Sequence, residues 1–199
     1  MSYKIKEILT NKDVNIKVLR YSNQGVSQLD LSIFNPLELS KYNSFKSDKR
    51  KLEFYYSRVL WNSFGIDLTI EYKKTGKPIL KNGFISISHS HHKVSVAYSQ
   101  TKNIGIDLEY RSNKVQKIKA KFLHPSEQFE TIKDLTTIWT IKEAIYKLFD
   151  TDKLFFKTHI IVKTIGEKPN VSVEIKSKTY SPQILSFSIN DTYMLTLAI

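Results

Sequence analysis

Apolar and polar positions alternate in many short stretches of this chain, which is the pattern of half-buried β-strands. The clearest case is residues 14–20, where Val14, Ile16 and Val18 alternate with Asn15 and Lys17. We predict strands at residues 2–8, 14–20, 66–72, 84–87, 93–99, 104–109, 158–163, 171–177, 183–189 and 192–198, with turns at residues 11–13 and 73–78.

Helices are predicted where apolar residues recur every three or four positions and where capping residues stand at the ends. The clearest helix covers residues 134–149, because Ile138, Ile141, Ile145 and Leu148 form one apolar stripe. Each half of the chain has strands that flank one or two helices, and the halves join near residues 100–103. The other expected helices cover residues 35–42, 47–64 with Ser47 as N-cap and Gly65 as C-terminal stop, 115–123, and a new helix that begins at His124-Pro125-Ser126-Glu127.

The strand at residues 104–109 places two carboxylates side by side. Because side chains alternate between faces, Ile104, Ile106 and Leu108 point one way while Asp107 and Glu109 point the other. An amphipathic strand with a wet acidic face is one interpretation. The other is a site for a hard divalent cation such as Mg²⁺, which prefers oxygen ligands and would offset the repulsion between the carboxylates.

Two further stretches carry candidate chemistry. On the helix at 134–149, Trp139, Glu143 and Lys147 share a second face, and Glu143 and Lys147 have the order of a surface ion pair. Residues 88–92 form a predicted loop with three histidines. Their spacing is poor for closing a metal shell, whereas hydroxyls, imidazole and backbone N–H groups suit phosphate oxygens.

The composition excludes several protein classes. Hydrophobic residues make up 41% of the 199 residues and aromatic residues 12%, which is enough to form a folded core. Without cysteine there are neither disulfides nor thiolate metal sites. We see neither a signal peptide nor a membrane-spanning segment, and therefore expect a cytoplasmic protein. The net charge of +12 favours anionic partners, although lysines are scattered through the whole chain.

Four motifs, taken in this order and spacing, give a specific resemblance. The chain resembles the 4′-phosphopantetheinyl transferase superfamily in its two-half, surfactin-synthetase-activating type. The motifs run over the middle of the chain, and the length and strand pattern extend the likeness over all of it. They are Gly76-Lys77-Pro78, Ile87-Ser88-His89-Ser90, Gly105-Ile106-Asp107-Leu108-Glu109, and Trp139-Thr140-Ile141-Lys142-Glu143-Ala144 followed by Lys147.

The resemblance implies a fold and a reaction. The fold would be α+β, with two similar pseudo-symmetric halves at residues 1–102 and 103–199, each a small, mostly antiparallel sheet packed on helices. The enzyme would be a monomer that moves the phosphopantetheine arm of coenzyme A onto a serine of an acyl, polyketide or peptidyl carrier protein, releasing 3′,5′-ADP. Asp107, Glu109 and Glu143 would hold Mg²⁺, for which Mn²⁺ is an alternative.

The resemblance also implies roles for residues around the substrate. Lys147 would stabilise charge on the leaving group. Glu127 would be the general base, with Glu143 or a metal-bound water as alternatives. The proposed coenzyme A contacts are Arg58, Lys77, Ser88, His89, Lys147, Lys49 and Arg50.

The chain also departs from the family pattern. Residues 148–154 lack the glycines that usually follow the last motif, and His91-His92 replace a glycine and an aromatic residue. This leaves open an inactive homologue that only binds a carrier protein or coenzyme A. A basic nucleic-acid-binding module is less consistent, because the acidic trio would oppose a phosphate backbone. The sequence leaves undecided the natural carrier protein, the base and the preferred metal.

Overall fold

The computed structural model describes residues 3–10, 13–22, 25–166 and 169–199 and has an α+β fold. The helices are α1 (Pro36–Ser44), α2 (Asp48–Asn62), α3 (Lys114–Phe122), α4 (Ile132–Phe149) and α5 (Phe156–His159). The strands are β1 (Tyr3–Thr10), β2 (Asn15–Tyr21), β3 (Glu71–Tyr72), β4 (Pro78–Ile79), β5 (Phe84–Ser90), β6 (Lys93–Ser99), β7 (Gly105–Tyr110), β8 (Ile160–Thr164), β9 (Asn170–Ile175), β10 (Lys178–Tyr180), β11 (Ile184–Ile189) and β12 (Tyr193–Ala198).

An antiparallel sheet in the order β1-β2-β6-β5 forms the first half, and α2 packs on one of its faces. The core between them is rich in aromatic rings. Tyr56 and Leu60 of α2 are fully buried, and Tyr56 stacks on Tyr21 of β2 with ring centres 4.3 Å apart. This packing explains why α2 is stable although its first turns are strongly basic.

The second half contains the antiparallel sheet β11-β12-β7, with α4 packed on it, and a smaller sheet β10-β9-β8. The apolar stripe predicted for α4 is confirmed, since Ile138, Ile141, Ile145 and Leu148 are all buried. Ile106 and Leu108 of β7 face the other way and are buried in a core that also contains Ile16 of the first sheet. The predicted alternation along β7 therefore joins the two halves.

A row of serine hydroxyls also connects the halves. One edge of β7 pairs with β12, and β5 lies along the other. There the Oγ atoms of Ser86, Ser88 and Ser90 accept hydrogen bonds of 2.9, 3.1 and 3.0 Å from the backbone N–H groups of Ile106, Leu108 and Tyr110. The hydroxyls of Ser86 and Ser88 thus satisfy the amides of two buried residues, Ile106 and Leu108.

Three predictions of secondary structure were wrong. Of the loop predicted at 88–92, residues 88–90 are instead the end of β5, which pairs with β6 as far as Ser90, and residues 91–92 form a turn. Of the strand predicted at 66–72 only Glu71–Tyr72 forms, since the Leu68 carbonyl accepts from the Trp61 side chain instead of a neighbouring strand. The third error is the helix predicted to begin at residues 124–127, which form a turn.

One capping prediction is confirmed only in position, and two predicted elements lie partly outside the described residues. Ser47 stands at the N-cap of α2, as predicted, but its side chain makes no capping hydrogen bond. The turn predicted at residues 11–13 lies partly outside the described residues, as does the first residue of the predicted strand 2–8. Of the helices in the described ranges, none is long and apolar enough to cross a membrane.

Candidate active site

The close approach of α4 to β7 brings the acidic residues of the two elements together. A Cβ atom on Gly105 would lie 2.0 Å from the Ala144 carbonyl oxygen and 2.6 Å from the Leu148 nitrogen, so only glycine fits there. Asp107 is two residues further along the same face of β7, and Glu143 precedes Ala144 on the helix. The glycine of this motif therefore allows the carboxylates of strand and helix to approach each other.

The electrostatics of Glu143 confirm that negative charge is concentrated here. Burial raises the pKa of Glu143 to about 7, and the nearby Asp107 and Glu109 carboxylates add to the rise, while Lys147 opposes it. A carboxyl group in such surroundings retains its proton near neutral pH unless a positive charge reaches it.

Asp107 is held by groups from both halves of the chain. Its Oδ1 atom accepts hydrogen bonds from Ser88 Oγ at 2.8 Å and from Lys147 Nζ at 2.7 Å. Lys147 also donates to the Ile106 carbonyl, so its amine contacts β7, whereas the sequence suggested an ion pair with Glu143. The Oδ2 atom of Asp107 is buried and makes no hydrogen bond. One strong acceptor of the site thus remains unsatisfied.

These groups fit a hard divalent cation in their chemistry. All three side chains offer oxygen, Asp107 Oδ2 has no partner, and Glu143 has a raised pKa that positive charge would lower. Glu109 accepts from Ser90 Oγ at 2.8 Å. Across the described ranges, however, no three His, Cys, Asp or Glu side chains are already arranged around one point. A cation would draw the carboxylates inward, and the Lys147 ammonium meanwhile neutralises part of their charge.

Glu127 has a different environment from the one its predicted role requires. Its Oε2 atom accepts from Lys142 Nζ and from the His124 backbone, both at 2.7 Å, and its Oε1 accepts from the Val162 backbone at 2.7 Å. Both side chains of the Glu127–Lys142 pair are almost completely buried. In this structure Glu127 thus forms a buried structural ion pair with Lys142, whereas the sequence suggested a general base.

A cleft beside the acidic cluster contains two of the predicted ligand lysines. It has a volume of about 310 Å³ and is lined by Lys77, Lys147, Tyr146 and Ser86, among others. Lys77 donates to the Lys147 carbonyl at 2.9 Å, and burial lowers its pKa although Asp150 opposes this. The structure thus brings Lys77 and Lys147 together.

A second cleft, of about 280 Å³, shares Gly76, Pro78 and Ile87 with the first. His89 and Arg50 line it, with His89 Nε2 at 3.4 Å from an Arg50 nitrogen. The exposed Lys49 is near the same region, since its amine lies 3.8 Å from Glu53. Three of the predicted anion ligands are therefore close neighbours.

Sequence reasoning missed Glu53, which is only 3% exposed and organises these cations. Its Oε1 atom lies 3.2 Å from His89 Nδ1, and its Oε2 atom lies 3.6 Å from Arg50. Burial acts to raise the pKa of Glu53, but His89, Lys49 and Arg50 together hold it below its ordinary value. The available signal was one carboxylate placed three and four residues after two cations on the same helix.

Two predicted ligands lie in the protein interior instead. Arg58 is 1% exposed and donates to Glu38, to Ser57 and to the Tyr72 hydroxyl, so its guanidinium supports the first half and does not face a ligand. Ser88 donates its single hydroxyl proton to Asp107, which leaves none for a phosphate oxygen. In this structure both side chains that the sequence suggested as coenzyme A contacts are therefore engaged within the protein.

Two comparisons with known proteins found similar sequences. Residues 103–198 match the family model described as the 4′-phosphopantetheinyl transferase superfamily. The chain is also 28% identical over 135 residues to a protein named 4′-phosphopantetheinyl transferase HetI, from Nostoc sp. (strain PCC 7120 / SAG 25.82 / UTEX 2576). That alignment covers 55% of this chain and 56% of the relative, so the chain spans little more than half of its length. The family match contains the acidic strand and α4, so this part of the chain is similar to the 4′-phosphopantetheinyl transferase superfamily.

Proposed function

We propose that this protein transfers the 4′-phosphopantetheine arm of coenzyme A to a serine of an acyl, polyketide or peptidyl carrier protein. The observation that carries the proposal is the position of Lys147. Its amine contacts Asp107 in the acidic cluster, and its side chain lines the cleft that also contains Lys77. A group that neutralises phosphate thus lies directly between a candidate cation site and a candidate anion site.

Coenzyme A would occupy the two adjoining clefts, which have cations for its phosphates. The pyrophosphate would lie near Lys77 and Lys147, and the 3′-phosphate near His89, Arg50 and Lys49. Because the clefts share residues on either side of Lys77, one extended molecule can run through both.

The proposed reaction is an in-line displacement at phosphorus. The serine hydroxyl oxygen forms a bond to the β-phosphorus, the bond from that phosphorus to the bridging oxygen breaks, and 3′,5′-ADP leaves. Bound by Asp107, Glu109 and Glu143, Mg²⁺ would neutralise charge on the pyrophosphate. Lys147 would donate to oxygens that gain charge as the bond breaks.

The serine proton needs an acceptor near the carboxylate cluster. Since Glu127 is engaged by Lys142, we propose Glu143, which was the alternative from the sequence. We further propose that the protein works as a monomer in the cytoplasm. A homologue that only binds carrier protein or coenzyme A is the second candidate, favoured by the absence of glycine in residues 148–154.

The test is the intact mass of an acyl carrier protein after incubation with this protein, coenzyme A and Mg²⁺, with a parallel sample that contains EDTA. We expect a gain of one phosphopantetheine arm only without EDTA. Asp107→Asn should abolish the gain, whereas the matched control Glu130→Gln, an exposed carboxylate outside the cluster, should not. Coenzyme A binding without any mass gain, across several carrier proteins, would establish the inactive homologue instead.

A further inference from the structure

Four cations converge at one end of the first sheet. Lys4 of β1 lies directly opposite Arg20 of β2, and Arg20 lies directly opposite Lys93 of β6. Lys6 is on the same face of β1 as Lys4. We call Lys4, Lys6, Arg20 and Lys93 the basic row. Lys4, Lys6 and Arg20 are exposed, whereas Lys93 is 5% exposed.

The basic row lowers the stability of the protein when it is alone. Like charges directly opposite each other on neighbouring strands repel, and burying an ammonium group carries a desolvation cost. Burial and the charges of Arg20 and Lys6 lower the pKa of Lys93. Among residues of the described ranges, no carboxylate lies within ion-pair distance of these four side chains. Such an arrangement is relieved when an anionic surface covers it.

The row is continuous with the carboxylate cluster. The Lys93 amine lies 3.8 Å from the centre of the Tyr193 ring, which packs against Tyr110 with ring centres 5.1 Å apart. Tyr110 directly follows Glu109 on β7, and its amide bonds to Ser90, the residue opposite Lys93. The basic row therefore begins two aromatic rings away from the place where the transfer is proposed.

Coenzyme A does not account for these cations. Neither of the two clefts assigned to it is lined by any member of the basic row. The second substrate must reach the same carboxylates with its serine, and a protein that is acidic around that serine complements the row in sign. Charge complementarity of this kind mainly increases the rate of encounter.

We propose that Lys4, Lys6, Arg20 and Lys93 form a docking surface for the acidic face of the carrier protein and direct its serine toward Glu109. This inference rests on the proposed function, because it names the surface by which that site takes its protein substrate.

The test compares two triple variants that change net charge equally. Lys4→Glu/Lys6→Glu/Arg20→Glu reverses the exposed part of the row, and Lys157→Glu/Lys163→Glu/Lys178→Glu reverses exposed lysines of the second half. We expect the first to lower kcat/KM for an acidic carrier protein by about tenfold or more at low salt, with KM for coenzyme A unchanged. The control triple should change kcat/KM for the carrier protein less than about twofold. Salt at about 0.5 M should reduce the difference in kcat/KM between the two triple variants.

Three results would overturn the inference. The two triple variants could lower kcat/KM for the carrier protein equally, or the first variant could raise KM for coenzyme A as much as KM for the carrier protein. The third is a first variant that loses binding to DNA while its kcat/KM for the carrier protein is unchanged. The triple Lys4→Gln/Lys6→Gln/Arg20→Gln provides a milder change if charge reversal impairs folding, and it should show a smaller loss in the same direction. Direct titration of apo-carrier protein separates this inference from the proposed function. Binding that weakens in the row variants, without any transfer by the wild type, would refute the transfer but retain the docking surface.

Discussion

Removing the negative charge of Glu143 should make the metal-free protein more stable at neutral and alkaline pH. The pKa of this carboxyl group rises from its ordinary 4.5 to about 7 in the folded chain, because it is buried beside Asp107 and Glu109. Each pKa unit corresponds to about 1.4 kcal/mol. Ionised Glu143 therefore destabilises the fold by about 3 kcal/mol, and Glu143→Gln should recover most of that.

The dependence on pH follows from the direction of the shift. Below about pH 4.5 Glu143 is protonated in both the folded and the unfolded chain, so it has no effect on stability. Between pH 4.5 and 7 only the unfolded chain loses the proton, and the free energy of unfolding falls. Above pH 7 the loss is complete. The variant should therefore differ little from the wild type near pH 4 and most at pH 8.

Urea denaturation and thermal melting at pH 4, 6 and 8, in EDTA, measure this difference. At pH 8 we expect Glu143→Gln to melt about 6–12 °C higher than the wild type, since about 1 kcal/mol corresponds to about 2–4 °C in a chain of this size. The exposed Glu130→Gln is the control and should be neutral. Mg²⁺ should raise the melting temperature of the wild type more than that of Glu143→Gln. A difference between the two proteins that does not vary with pH would refute the reasoning.

Two further substitutions test how the site is built. Gly105→Ala should destabilise the protein by about 1–3 kcal/mol or more, because the new methyl group meets the backbone of α4. The control is Gly25→Ala, whose Cβ would be 3.4 Å from the nearest atom. Equal urea midpoints for the two variants would contradict the close packing at Gly105. Glu127→Gln should cost about 3–5 kcal/mol by leaving Lys142 charged and unpaired, measured by urea denaturation. If it instead lost turnover with unchanged stability, Glu127 would be the base after all.

The acidic cluster could be predicted from the sequence because its geometry is local. Alternation along residues 104–109 fixes which carboxylates share a face, and helical spacing places Glu143 and Lys147 one turn apart. Gly105, the glycine of the acidic motif, allowed α4 to approach. Only the partner of Lys147 was missed, because an amine on a long flexible side chain reaches a strand as easily as its own helix.

Roles that depend on distant contacts could not be read from the sequence. Arg58 has the spacing of a ligand residue, but Glu38 and Tyr72 bind its guanidinium from other elements. Glu127 stands where a base was expected, and Lys142 reaches it from fifteen residues further along the chain. A charged residue in a motif shows that a partner exists, while the fold decides whether that partner is a ligand or another side chain.

The absence of glycine after α4 has a local explanation. Asp150 takes the left-handed conformation at the end of the helix, with φ of 48°. A polar residue tolerates this conformation better than an apolar one. Its carboxylate then binds Lys73 at 2.6 Å. Asp150 thus ends α4 beside the cleft that contains Lys77, at a place where the family usually has glycine. Its carboxylate pairs with Lys73 in the turn that also contains Lys77.

The serine row gives the first half a direct part in the chemistry of the second. A strand edge alone would have paired through backbone atoms and left the carboxylates of β7 to water. Here the hydroxyls of Ser88 and Ser90 each accept a hydrogen bond from a backbone N–H of β7 and donate one to Asp107 and Glu109 respectively. The orientation of both carboxylates is therefore set by β5, although the acidic motif lies within residues 103–198. The alternating serines of β5 thus make the site a property of both halves together.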